Sequence, residues 1–373
     1  MKRENISLGT GRIACELLVD SGSFRERLSS DIASARQSVY IQTLSFEGDS
    51  AGRDLADSVR GSGAGDKRII VDNYTKYVLS DKFLCSPKNW FDKELWHEVK
   101  ATREMIANLR QNGVGVRFVN PVGLFLTKMP SRNHKKMIVI DGRVSYIGGI
   151  NFSDHNFAWH DLMLRLEDTD IAAFLTGDFL MSWDGKHFGG RRRFDGIELF
   201  AFNGATNATD FGPILDLIDA AQTSIYVQSP YLCHPFTDRL HSAVSRGVNV
   251  TVVTPEKNNK RPVQEYIVWE AARSGFDLRC YQGGMTHMKA MLIDDEILVV
   301  GSCNFDSFSY WFEQETVAVI TDRRIVDSFI EKVVNPDDAN CSKTKLRPRR
   351  IMGYVRDLEI RAATRLMRLF NGK

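Results

Sequence analysis

Two stretches of the chain repeat the same polar residues at the same spacing: His134-x-Lys136-x4-Asp141-x6-Gly148-Gly149-x-Asn151 and His287-x-Lys289-x4-Asp294-x6-Gly301-Ser302-x-Asn304. Side chains alternate along a strand, so a histidine and a lysine two apart point to one face and put an imidazole beside an ammonium. The runs MIVI and MLIDDEILVV read as the buried strands that hold each pair. Glycine at 148, 149 and 301 permits close backbone approach before Asn151 and Asn304 offer amide donors. If the two copies meet about a pseudo-twofold axis, one pocket gains two histidines, two lysines and two asparagines. That set suits a phosphodiester, because cations and amides stabilise the charge that builds on its non-bridging oxygens. One imidazole can attack phosphorus while the other protonates the leaving oxygen and later deprotonates the acceptor. The acceptor can be water or an alcohol, so the motif alone leaves hydrolase and transferase open. A single H-x-K before an apolar strand is more often a solvated strand end, but two copies with one spacing are hard to reach by chance. No third nitrogen or sulfur ligand and no H-E-x-x-H accompanies the histidines, so neither a metal nor a cofactor is expected.

The elements that must position these residues repeat too. Ser38-Val-Tyr-Ile-Gln42 recurs as Ser224-Ile-Tyr-Val-Gln228, each after a stretch of helical periodicity, FRERLSSDIASARQ and GPILDLIDAAQT. A second apolar strand follows (KRIIVDNY, VNVTVVTP), then a helix and a strand entered through a glycine turn (MIANLRQNGVGVRFVN, YIVWEAARSGFDLRCY). Alternating strands and helices predict an α/β fold of two pseudo-symmetric lobes, each a mixed, mostly parallel sheet flanked by helices. Ser38 to His134 spans 33 residues more than Ser224 to His287, an excess assigned to TKYVLSDKFLCSPKNWFDKELWHEVK. The glycine- and arginine-rich DGKHFGGRRRFDG (184–196) reads as the connection. The expected division is a first lobe over 1–190, a second over 196–340 and a basic amphipathic helix over 342–373, with the site between the lobes.

Composition bounds the partners. The chain has 373 residues and is 43% hydrophobic, enough for two modest domains, and its net charge is only +2. The basic excess is local: Ser342 to Lys373 holds ten Lys/Arg against Asp357 and Glu359. There, Ile351, Val355, Leu358, Ala362, Leu366 and Leu369 follow a helical stripe, with Arg361, Arg365 and Arg368 on other faces. Such a helix could lie on an anionic bilayer, each basic residue near the surface adding about 1 kcal/mol, or pack its stripe on the second lobe; partial packing is expected. Val122-Gly-Leu-Phe-Leu126 reads as either an acyl-chain contact or core. The six cysteines show no C-x-x-C pair and are expected to be reduced thiols. No apolar leader is read in the first twenty residues and no run reaches the roughly 20 apolar residues of a membrane span, so the expected location is cytoplasmic and peripheral, at the inner membrane surface.

The paired motifs resemble the two H-K-D motifs of the phospholipase D superfamily, over about Ser21 to Val334. The flanks are most similar to bacterial cardiolipin synthases: R-x-N-H-x-K before Asp141-Gly142, Trp159-His160-Asp161, Ser229-Pro230-Tyr231, Arg246-Gly247-Val248 and Gly301-Ser302-x-Asn304-x-Asp306. The resemblance implies a phosphatidyl-enzyme intermediate. It also implies that Asp161 and Glu315, downstream of the two motifs, orient a histidine through its other ring nitrogen, with Glu313 a competitor for that role. Three features depart from the family. His287-Met288-Lys289 stands where H-A-K is usual, and Met288 should face away. The N-terminal membrane helices of many members are not seen. Leu232-Cys233-His234-Pro235 replaces the F-V-P-x-[DE] that often follows Pro-Tyr, which leaves headgroup preference open and His234 as either a substrate contact or a surface-loop residue.

The reading is therefore a phosphatidyltransferase acting on phospholipid, with phosphatidylglycerol the expected substrate and an anionic membrane surface the partner of the tail helix. His134 is expected to be the nucleophile and His287 the general acid/base. Lys136, Asp141, Lys289 and Asp294 complete the catalytic set, and Asn151, Asn304 and the two lysines bind phosphate. The alternatives are a phospholipase D, a nucleic-acid phosphodiesterase that uses the arginine-rich tail as a clamp, and a non-catalytic lipid-binding scaffold. Nucleic acid is not the expected partner, because few aromatic residues interleave with the basic residues of the tail. Retention of all six His/Lys/Asp positions argues against a scaffold.

Overall fold

The computed structural model describes residues 13–344 and 347–371. Residues 1–12, most of the stretch read as lacking a leader, lie outside the described residues, as do 345, 346, 372 and 373 of the tail.

The first half contains β1 (Ala14–Val19), β2 (Ser38–Thr43), β3 (Asp66–Asp72), the short hairpin β4 (Val78–Leu79) and β5 (Lys82–Phe83), β6 (Gly115–Val119), β7 (Met137–Ile140), β8 (Val144–Gly148) and β9 (Leu162–Glu167). Apart from the hairpin these form one sheet in the order β1-β9-β8-β7-β2-β3-β6. The second half contains β10 (Gly190–Arg193), β11 (Ile197–Asn203), β12 (Ser224–Gln228), β13 (Asn249–Pro255), β14 (Asp277–Tyr281), β15 (Ala290–Ile293), β16 (Ile297–Gly301), β17 (Gln314–Ile320) and β18 (Cys341–Lys343). Its order is β10-β11-β17-β16-β15-β12-β13-β14-β18. Without the edge strands β10 and β18 the two orders coincide, so the duplication seen in two pentapeptides extends across both sheets.

Parallel pairing is confined to β2-β3-β6 and β12-β13-β14. The other pairs are antiparallel, so each sheet is mixed but not mostly parallel. The cause lies in the motif itself. Asp141-Gly142-Arg143 and Asp294-Asp295-Glu296 are tight turns with positive φ at Asp141, Gly142, Asp294 and Asp295. A link that short can only return the chain as a hairpin, whereas parallel neighbours need a crossover. Two further boundaries move. Gly190–Arg193 of the expected connection is a strand on β11. Cys341–Lys343 pairs with β14, so the tail helix runs Arg350–Phe370 and not from residue 342.

Successive residues of each motif strand serve two cores, as strand alternation requires. Ile138 and Ile140 pack outward under helices Asp20–Ser34, Ser50–Gly61 and Lys93–Gln111; Met291 and Ile293 do the same under Gly212–Ala220, Phe236–Ser245 and Arg261–Ser274. Met137 and Val139 meet Met288, Ala290 and Leu292 in a core shared by both halves, with helices Thr169–Trp183 and Arg323–Phe329 contributing Leu175, Phe179 and Phe329. Met288 faces away from the paired residues, as expected. Its counterpart Lys135 does too, and there its ammonium lies 2.7 Å from both oxygens of Asp178, with both residues fully buried.

Removing one partner of a buried ion pair strands a charge and costs about 3–5 kcal/mol, whereas replacing both with apolar groups is near neutral. Lys135→Met should therefore destabilise the protein by about that amount, and Lys135→Met with Asp178→Leu should recover most of it. Urea denaturation of the two variants checks this.

Candidate active site

Each half presents its histidine just before the motif strand, and each is fastened there by the other half. The His134 N–H donates to Gln314 O (2.9 Å) and the Gln314 N–H to Arg132 O (2.8 Å). Reciprocally, the His160 N–H donates to Met285 O (2.9 Å) and the His287 N–H to His160 O (2.7 Å). The residue after each bridging position is the acid. Glu315 therefore reaches His134, its carboxylate 3.0 and 3.2 Å from Nδ1, and Asp161 reaches His287 Nδ1 at 2.8 Å. A carboxylate on Nδ1 holds a proton there and leaves the lone pair on Nε2, which in His287 lies 3.0 Å from Lys289 Nζ. His160 itself ties the halves through Asp20 (2.7 Å) and Asp337 (2.8 Å), and stacks on Tyr281.

The glycines act through space. A Cβ at Gly148 would lie 2.2 Å from Leu162 O, one at Gly301 2.2 Å from Thr316 O, and one at Gly149 2.3 Å from Asp161 Oδ1. Only glycine lets the acid-bearing strand come this close. In the second half Ser302 takes the place of Gly149, and its hydroxyl donates to Glu315, as does that of Ser309 (2.7 Å). The symmetry breaks again two residues before each acid. Trp159 lies against His287 with ring centroids 4.8 Å apart, whereas Glu313 stands 3.9 Å from His134 Nδ1.

Both histidines line one pocket with Arg132, Asn151, Trp159, Tyr231, Lys260 and Glu313. Burial and Lys289 push His287 down to about 3; burial and Lys136 push His134 down, against the opposing pull of Glu315. Burial lowers Lys136 to about 7 and Lys289 to about 8. Burial raises Glu315, but His134, Lys136 and Ser302 outweigh it and hold the carboxyl at about 2. Glu313, buried beside Glu315 and Asp306, is driven well above the carboxylate range. Burial raises Asp161, but Lys289 and His287 outweigh it and hold its carboxyl below the ordinary carboxylate range.

The expected site residues fall into two groups. His134, His287, Asn151, Asp161 and Glu315 converge at or beside the pocket. Lys136 and Lys289 lie just beneath it, Lys136 Nζ donating to His134 O (2.7 Å) and Lys289 Nζ 2.8 Å from His287 Nδ1. Asn304 is buried, and its Oδ1 has no hydrogen-bond partner among the described residues. Asp141 and Asp294 do not join them. Asp141 accepts the backbone N–H groups of Arg36, Gln37 and Ser38, and Asp294 those of Gln222, Thr223 and Ser224, at the far end of each motif strand. They anchor the hairpin to the start of β2 and β12 instead of reaching the pocket, since four strand residues separate each from its lysine. His234 also lies elsewhere, bonded to Asp238 and to Arg361 of the tail helix (3.0 Å). Glu313 does not orient His134, because Glu315 is nearer by 3.0 against 3.9 Å. Trp159, Tyr231 and Arg132 were legible as family flanks but had no assigned place; Lys260 and Ser309 gave no signal. His134, Glu313 and Glu315 bring ligand atoms within 4.8 Å of one another, as do Glu47, Asp49 and Glu98. In the first set Glu315 is already engaged with His134 and Lys136 lies close by, an unfavourable surrounding for a cation.

The tail helix turns its expected stripe the other way. Gly353 packs on Trp269, Ile360 on the cluster of Cys233, Tyr266 and Trp269, and Thr364 is buried. Arg356 pairs with Glu265, Arg361 with Asp238 and Asp357, and Arg368 lies 3.6 Å over the ring of Trp311. The apolar stripe faces outward. Among the described residues no helix is long and apolar enough to cross a membrane.

Comparison with known proteins agrees with this geometry. The model of the family described as "Cardiolipin synthase, PLD-like domain" matches residues 28–183 and 214–335. Cardiolipin synthase 1 of Staphylococcus epidermidis is 28% identical over 344 residues, covering 83% of this chain and 65% of that protein. The major cardiolipin synthase of Bacillus subtilis is 25% identical over 357 residues, covering 86% and 68%. The chain thus spans just under two thirds of the first relative. Among solved structures, phosphatidylserine synthase of Haemophilus influenzae superposes with a TM-score of 0.68 at 14% identity over 95% of both chains. Polyphosphate kinase of Porphyromonas gingivalis gives 0.59 at 11% identity, covering 94% of this chain and 53% of that one. These two likenesses speak for the fold alone.

Two outcomes follow from the site. Burial lowers His160, but Asp20 and Asp337 outweigh it and raise the ring to about 9, while His287 is lowered to about 3. Ring-nitrogen NMR should find His287 neutral from pH 8 down to about pH 4 and His160 protonated across that range; a His287 titration near 6.5 would contradict the electrostatics. Asp294 is held at about 2, burial raising it but the N–H groups of Ser224, Gln222 and Thr223 lowering it more. Its contribution is therefore complete above the unfolded carboxyl range near pH 4 and lost as pH falls through about 2. Asp294→Ala should cost about 1–3 kcal/mol in denaturation at pH 7 and leave the chemistry of the folded fraction within a few-fold.

Proposed function

Since the chain belongs to the PLD-like cardiolipin synthase family, we propose that it is a phosphatidyltransferase of the cardiolipin-synthase type, moving a phosphatidyl group from one phospholipid to an alcohol. The carrying observation is that two histidines, one from each half, line a single pocket and are each held by a carboxylate of the other half. His134 Nε2 attacks phosphorus and the phosphorus–oxygen bond to the headgroup breaks, as the His287 proton passes to the departing alkoxide. In the second step an alcohol oxygen attacks, the phosphorus–nitrogen bond breaks and the alcohol proton returns to His287. The free His287 ring is too poor a base to carry that proton, because burial and Lys289 depress it. The phosphodiester's own negative charge opposes the Lys289 field, so protonation accompanies binding. Lys136, Lys289, Asn151 and Asn304 stabilise the phosphoryl oxygens, and Asp161 and Glu315 orient the rings.

Phosphatidylglycerol is the proposed donor and acceptor, and the proposed location is the inner face of the membrane, met peripherally. Arg356 and Arg361 pair with acids of the second half, which takes these two arginines out of any clamp on nucleic acid. The division into two lobes belongs to the same reading, with the second lobe running from the Gly190–Arg193 strand to the Cys341–Lys343 strand and the Arg350–Phe370 helix as an appended element.

Incubation of the protein with labelled phosphatidylglycerol, with and without added glycerol or ethanol, should give transfer product in excess of phosphatidic acid. Phosphatidic acid alone would make it a hydrolase, and cleavage of single-stranded DNA with inert lipid would end the lipid reading. His134→Ala and His287→Ala should each lower turnover by about three orders of magnitude or more. Acid-labile phosphatidyl adduct should accumulate in His287→Ala only; adduct in His134→Ala would exchange the two roles.

A further inference from the structure

The chain from Asn120 to Ser131 leaves β6 and returns to His134 by an unusual path. Asn120, Gly123, Phe125 and Leu126 all have positive φ, between 52 and 75°. Non-glycine residues seldom adopt that conformation, and a structure holds several of them only where the surroundings over-determine it. Here Arg132 does so: its guanidinium donates to Asn120 O (2.8 Å) and Lys128 O (2.7 Å), closing the loop at both ends, and to Asp72 (2.8 Å) beneath it. Val122 is buried by this arrangement, while Leu124 and Phe125 are left 78% and 89% exposed. The loop also touches the end of the tail helix, Ser131 Oγ donating to Asn371 Oδ1 at 3.1 Å. On that helix Ile351, Leu358, Leu366 and Leu369 are 55–83% exposed, because the opposite face is the one docked on the protein.

We propose that the Leu124–Phe125 loop and the outward stripe of the tail helix form one surface that docks on an anionic phospholipid bilayer, the loop acting as a wedge into the headgroup and acyl boundary. The proposal rests on the lipid reading above and adds the element that joins the bilayer to the site. Three observations select a bilayer. Large side chains held outward by a clamped loop are kept there against the ordinary preference for burial. Their setting is basic, with exposed Lys128, Arg347, Arg349, Arg350 and Arg365 against one exposed acid on the helix, Glu359, which complements an anionic lipid surface. Arg132, which closes the loop, also lines the catalytic pocket, so a docked loop has a fixed relation to the histidines.

The test uses the whole chain, vesicles of phosphatidylglycerol and phosphatidylethanolamine, and a short-chain phosphatidylglycerol below its micelle concentration. Leu124→Asp with Phe125→Asp, and separately Leu358→Asp with Leu366→Asp, should each reduce vesicle sedimentation and vesicle turnover at least tenfold and leave turnover of the monomeric lipid unchanged. Phe125→Trp should keep binding, and the emission of the introduced indole should shift to shorter wavelength on vesicles. Unaltered sedimentation of the aspartate variants, or an unshifted emission from the Phe125→Trp variant, overturns the proposal. So does a wild-type dimer that the same aspartates dissociate, since the surface would then be filled by a second copy. Vesicle binding that behaves as expected in a protein inert toward both lipids would sustain the docking surface and remove the transferase reading.

Discussion

Neither half of this molecule owns a finished imidazole. Each histidine reaches its working environment only when the opposite half supplies a carboxylate to Nδ1, Glu315 to His134 and Asp161 to His287. The exchange is enforced by backbone, through the bridges at Asn133–Gln314 and His160–Thr286, and by glycines too small to obstruct it. A buried imidazole or carboxylate alone would be costly, and the pair is tolerable because each satisfies the other. The shared core of Met137, Val139, Met288 and Ala290 therefore does more than join two sheets, since the register between them sets the hydrogen bonds of the site.

The electrostatic state follows from that closure. Two ammonium groups and two imidazoles are packed where water is scarce, and their mutual repulsion and desolvation lower all four. The acids Glu315 and Asp161 offset part of this, and burial together with repulsion from Glu315 drives the Glu313 carboxyl well above the carboxylate range. What remains is a set of donors arranged before any ligand arrives, so that an anion binding there as proposed would require no reorganisation of them.

Much of this was legible from residue types and spacing. The paired motifs, the repeated strand at Ser38 and Ser224 and the glycine-entered strands are local patterns, and the structure has them in place; Asp161 and Glu315 came only with the family resemblance, and each lies against a histidine Nδ1. The failures share one origin, the orientation of an element toward a neighbour that sequence does not reveal. Asp141 has catalytic chemistry but sits past a four-residue strand, which carries it to the other end of the sheet. The apolar stripe of the tail reads as either a bilayer contact or a face partly packed on the second lobe, yet Gly353 against Trp269 and three placed arginines make the opposite face the docked one. The antiparallel excess was written in the Asp-Gly turn, but the stronger strand–helix alternation outweighed it. Lys135 next to a catalytic pair gives no hint that it crosses to Asp178, 43 residues on.

Fusing two copies in one chain has a consequence for Trp159 and Glu313. In an assembly of two identical subunits every substitution is made twice, so both entrances to a shared centre stay the same and an incoming molecule cannot be told from a departing one. Here the copies have diverged independently, leaving an indole over one ring and a carboxyl beside the other. The centre has acquired a front and a back, a polarity that two identical subunits could not have given it.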